Sequence, residues 1–62
     1  MYAVKKKREE LGISQEELSK KSGVSRTIIS ALETKNDTIT STMTLLKIAD
    51  ALGCNVSDIF LT

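Results

Sequence analysis

Apolar residues recur along this chain at helical rather than strand spacing. Leu45, Ile48, Ala49 and Leu52 stand at i, i+3, i+4 and i+7, which predicts one buried face on a helix over Thr42–Leu52. Gly53 follows directly and stops it. Val4 and Leu11 share one face of a first helix over about residues 2–11, with Arg8 between them and Gly12 at its end. Two shorter helices are expected between these, Gln15–Ser22 and Arg26–Thr34. Asn55 can cap a fifth over residues 56–61, where Phe60 is expected to join Val56 and Ile59 in the core. The loop over residues 35–41 is polar apart from Ile39. The pattern is all-α, with five helices and no strand.

The second and third helices carry the sharpest signal. The stretch from Ser14 to Leu32 reads SQEELSKKSGVSRTIISAL. Ser14 and Glu17 have the spacing of a capping box, in which each side chain satisfies a backbone N–H near the other. Gly23 stands where the chain must turn sharply, and glycine enters the left-handed region cheaply. Ser25 then caps the next helix. Leu18, Val24, Ile29 and Leu32 can bury together, and Ser19 is small enough for a close approach. This is a helix-turn-helix pattern, whose second helix is suited to the DNA major groove.

Three segments, GISQEEL, SGVSRTIISALE and LLKIADALG, resemble in order the phage-repressor and Cro-like regulators of the XRE family. The resemblance runs from about Val4 to Phe60. It implies a lambda-repressor-like fold and a sequence-specific double-stranded DNA-binding regulator, a repressor acting as a homodimer on an inverted repeat. It also implies that Gln15 bonds a phosphate and a recognition-helix side chain. Lys35 and Asn36 would follow the phosphate strand, and Arg8 would pair with Glu33. Dimerisation would use the fifth helix and the preceding loop, through Ile39, Phe60 and Leu61. The chain departs from the family pattern at four places. Lys35 replaces a glycine, leaving Asn36 to take the left-handed cap, and the loop has no proline and about one extra residue. Lys7 replaces a common leucine and Ser22 a common apolar residue, both at the expense of the core.

Helical geometry places Arg26, Thr27, Ser30, Ala31 and Thr34 opposite Ile29 and Leu32. Arg26 can bond both O6 and N7 of guanine through its planar fork. Thr27 and Ser30 offer short hydroxyls, and Ala31 a methyl suited to thymine; these four are the expected base-contacting residues. Gln15, Ser25, Thr34, Lys35 and Asn36 are the expected phosphate contacts, the first two near helix N-termini with their free N–H groups.

Composition narrows the alternatives. The 62 residues fit one small domain, residues 1–62. Net charge is only +1, but residues 1–35 hold eight Lys and Arg against five Glu, and residues 36–62 one Lys against three Asp. The basic excess thus lies on the half with the expected recognition helix. The chain has no histidine and a single cysteine, Cys54, expected as a small buried hydrophobe. No cofactor or metal is expected, and no paired acid–base cluster or phosphate-binding glycine loop suggests an enzyme. No apolar run is long enough for a membrane span, and MYAVKKKREE lacks the apolar core of a secretory signal, so a cytoplasmic protein is expected. A second class remains open: an antitoxin or anti-repressor whose main partner is another protein.

Overall fold

The computed structural model describes residues 2–34 and 40–60. Within them lie five helices: α1 Val4–Glu10, α2 Gln15–Ser22, α3 Arg26–Thr34, α4 Thr42–Leu52 and α5 Val56–Ile59. The interior is built from Val4, Leu18, Val24, Ile29, Leu32, Leu45, Ile48, Ala49, Leu52 and Ile59, all buried. Each fully buried aliphatic side chain contributes about 1.5–3 kcal/mol. Helix α2 packs on both α3 and α4, α1 touches α3 and α4, and α5 closes against α4. The described residues form a small all-α arrangement in which α2 and α3, joined by a tight turn, make a helix-turn-helix.

Local signals set the ends of α2. The Ser14 Oγ accepts from the Glu17 N–H at 3.0 Å, and the Glu17 carboxylate accepts from the Ser14 N–H at 3.0 Å. Those bonds hold the Glu17 carboxyl below its ordinary range. Gly23 closes the helix at φ +74°, with its N–H on the Ser19 carbonyl at 2.9 Å. For α4, Ser41 Oγ accepts from the Thr44 N–H at 3.1 Å, and Gly53 ends the helix. For α5, the Asp58 carboxylate accepts from the Asn55 N–H at 2.9 Å.

The outer helices differ from the sequence expectation. Helix α1 begins at Val4, not residue 2: residues 2 and 3 pair instead with the other end of the chain, the Ala3 N–H donating to the Ile59 carbonyl at 2.7 Å. Tyr2 and Phe60 form an antiparallel bridge, their rings stacked with centroids 5.5 Å apart. That pairing ends α5 at Ile59 and draws Phe60 into an extended conformation. Phe60 is therefore not a core residue: it is 41% exposed, while Ile59 is buried and Val56 partly so. Leu11 also fails to share the Val4 face. It is the C-cap of α1 and 52% exposed. After it the chain reverses, with Ile13 N–H reaching the Arg8 carbonyl and Gly12 N–H the Glu9 carbonyl. Cys54 is half-buried against the core, and burial raises its thiol pKa. Lys35, Asn36, Ile39 and Leu61 lie outside the described residues.

Candidate nucleic-acid interface

Helix α3 is held by one face and presents the other. Ile29 and Leu32 are at most 1% exposed and anchor it to the core. On the opposite side Arg26, Thr27, Ser30, Ala31 and Thr34, with Gln15 from α2, line one shallow concave surface. Arg26, Thr27 and Thr34 are exposed, while Gln15, Ser30 and Ala31 are half-buried along it. The Thr34 hydroxyl donates to the Ser30 carbonyl at 2.8 Å, leaving its methyl and oxygen lone pairs at the surface. Ser25 is exposed, and its Oγ accepts from the Ile28 N–H at 3.3 Å while its carbonyl accepts from Ile29. Ile28 is 38% exposed.

The turn that aims α3 is fixed by two serines. The Ser19 hydroxyl donates to the Val24 carbonyl at 2.6 Å, and Ser22 Oγ accepts from the Val24 N–H at 3.1 Å. Ser19 therefore does more than allow close approach, and Ser22 is a turn hydrogen-bonding residue rather than merely a lost apolar contact. Sequence reasoning missed both roles. The available signal was two serines in the last turn of α2, just ahead of a turn whose backbone polar groups needed partners.

A second anchor lies at the C-terminal end of α3. Arg8 Nε donates to Glu33 Oε2 at 2.9 Å and Arg8 Nη2 to Glu33 Oε1 at 3.0 Å, a two-point pair. Arg8 Nη1 donates to the Ile13 carbonyl at 2.8 Å. Gln15 Nε2 donates to the same Glu33 Oε1 at 3.0 Å. One carboxylate thus ties α1, α2 and α3, and Arg8 adds the turn after α1. Burial opposes the charge on Glu33, but the bonds from Arg8 and Gln15 prevail and hold its pKa below the ordinary value. The bond to Glu33 raises the Arg8 pKa, so both groups remain ionised at neutral pH. Lys7 faces outward, 3.9 Å from Glu10.

A cradled helix with a shallow, polar and partly basic outer face suits a groove-sized rod better than a small molecule. The Helix-turn-helix family model matches residues 4–59, nearly the whole chain. The chain belongs to this family of XRE- and Cro-like regulators. It is a DNA-binding regulator, and the family is regulatory rather than enzymatic. Among curated proteins none matches the chain. Among the described residues no helix is long and apolar enough to cross a membrane. In this helix-turn-helix protein the family's motif falls on α2 and α3, the two elements whose residues form the concave surface.

Proposed function

We propose that the protein is a transcriptional repressor that binds an inverted-repeat operator as a homodimer, each copy placing α3 in the major groove. The observation that carries this reading is the division of α3 into a buried anchor, Ile29 and Leu32, and a continuous outward surface. Arg26, Thr27, Ser30 and Ala31 read base edges. Gln15, Ser25 and Thr34 contact phosphates, joined by Lys35 and Asn36. With its side chains an α-helix is ~10–12 Å across, matching the ~12 Å width of the major groove, and the nine residues of α3 run about 13.5 Å along their axis.

Size supports the homodimer. The longest principal extent of the Cα positions is 24 Å. Successive major grooves on one face of DNA are ~34 Å apart, so one copy presents one recognition helix and two copies fill two half-sites. Phe60, with Ile39 and Leu61, supplies the apolar contact between copies. Repression needs nothing beyond occupancy, since a dimer seated across promoter DNA obstructs polymerase.

The test is selection of duplexes from a random pool, followed by fluorescence anisotropy at rising salt. Phosphate contacts release counterions, so affinity should fall steeply with salt for an enriched inverted repeat. Failure to enrich any duplex would sink the reading and favour a protein partner.

A further inference from the structure

We propose that the outward face of α1 is a self-association surface. A second copy of this chain packs on it antiparallel about a two-fold axis, with Lys5 and Lys6 of each copy facing Glu9 and Glu10 of the other. The inference rests on the homodimer reading and deepens it by naming a contact surface and its register. Val4 buries the opposite face of α1 in the core. Lys5, Lys6, Glu9 and Glu10 are all exposed, and with Tyr2 and Ala3 they line one shallow surface. Its charges are sorted, with both lysines in the first turn of the helix and both glutamates in the last. That order does not serve an isolated helix. A helix N-terminus favours anions and a C-terminus cations, the reverse of what stands here. A lysine four residues ahead of a glutamate is also the weaker orientation for a pair within one helix. Among the described residues neither Lys5 with Glu9 nor Lys6 with Glu10 closes as an ion pair, and Glu10 lies instead 3.9 Å from Lys7.

The order finds its complement in a second copy. Turned end for end, α1 sets position 5 opposite position 10 and position 6 opposite position 9, and the two-fold axis repeats both pairs. A parallel copy would set like charge against like, so the same residues that favour one alignment reject the other. Each exposed pair contributes little alone, but the four share one register. Apolar contact comes from the N-terminal end of the same surface. Tyr2 is half-buried there, and its ring stacks on Phe60, which is 41% exposed. Each end of the two-fold contact therefore carries one aromatic pair.

Charge reversal tests the register. Sedimentation of the free protein up to about 1 mM reads the self-association constant. The variants are Lys5→Glu with Lys6→Glu, Glu9→Lys with Glu10→Lys, and the fourfold reversal, each shown to be folded by circular dichroism. The new charges agree with the helix dipole, which favours folding. Wild-type association should weaken as salt rises. Each double variant faces like charges across the contact and should weaken association about tenfold or more. An equimolar mixture of the two doubles, and the fourfold reversal alone, should return to within about threefold of wild type, because both restore opposite charges at every pair. Double variants that associate like wild type, a fourfold reversal as weak as they are, or a wild type still monomeric at the highest concentration overturns the proposal. Stoichiometry on the selected duplex decides the homodimer reading separately: two copies per operator keep it even where the α1 surface fails, and one copy per operator removes it.

Discussion

Glu33→Ala removes the acceptor that Arg8 and Gln15 share, and its cost can be worked from the geometry. The Arg8 side chain is 13% exposed, so the guanidinium left behind has little water to replace the lost carboxylate. Of its bonds from Nε, Nη1 and Nη2, only the one to the Ile13 carbonyl survives. Breaking a buried pair from one side costs ~3–5 kcal/mol, and the residual exposure of Arg8 puts this case near about 3 kcal/mol. Chains of this size seldom hold more than ~3–5 kcal/mol in total, so the variant should sit at the edge of folding. At roughly 4–8 °C per kcal/mol the melting temperature should fall by about 12–24 °C. Urea unfolding at neutral pH, followed by circular dichroism, reads the loss as a shifted midpoint at nearly constant slope. Arg8→Met combined with Glu33→Leu should recover most of it, because neither charge then remains to be desolvated. A loss below about 1 kcal/mol from the single change, or a double variant no better than the single, would refute the reasoning.

Four further outcomes are expected. The lowered Glu33 pKa means that the folded state keeps this carboxylate charged where the unfolded chain, near the ordinary 4.5, takes up a proton. Its stabilisation is therefore present above about pH 4.5 and lost as pH falls below it, so Glu33→Gln should flatten the acid limb of a urea-midpoint profile; an unchanged limb contradicts this. Gly23→Ala should cost about 1–2 kcal/mol, since φ is +74° but an added Cβ meets nothing within 4 Å, and Gly23→Asn should cost less; equal losses would point to a clash instead. Arg26→Ala should cost about 1–3 kcal/mol of binding and relax preference at one base pair per half-site, whereas Gln15→Ala should weaken all sequences alike; matching profiles in a binding-site selection would move Arg26 among the phosphate contacts. Leu61→Glu should leave the fold intact but reduce cooperative operator binding, and sedimentation showing one copy per full operator at saturation would remove the dimer.

Helices α2, α3 and α4 begin and end where spacing and caps predict, because Ser14, Gly23, Ser25, Ser41 and Gly53 act on backbone groups within a few residues. The α5 start at Val56 behind Asn55 matches the expectation, but the start of α1 and the end of α5 were not legible in the same way. They are set by each other, through the bridge between Tyr2 and Phe60 at opposite ends of the chain, and no periodicity carries that information. Leu11 shows a related failure. Its spacing from Val4 matches a continuous helix, but it is the C-cap of α1 and 52% exposed, so the spacing alone did not bury it. The outward stripe of α3 could be read from the buried pair Ile29 and Leu32. The sharing of one Glu33 oxygen between Arg8 and Gln15 could not, since those residues stand 25 and 18 positions away.

That difference bears on how recognition could change without loss of the fold. Arg26 and Thr27 are exposed, and the anchors of their helix are other residues, Ile29 and Leu32. Exposed positions without special contacts usually change stability by no more than about 0.5 kcal/mol. On the proposed reading of α3, base preference can therefore be altered at these two positions with little effect on stability. Gln15 is different, because its amide is bonded to the carboxylate that also neutralises Arg8. A substitution there alters the proposed phosphate contact and the environment of a buried ion pair together. The first turn of α3 is the part of this surface free to vary, and the start of α2 is the part the fold constrains.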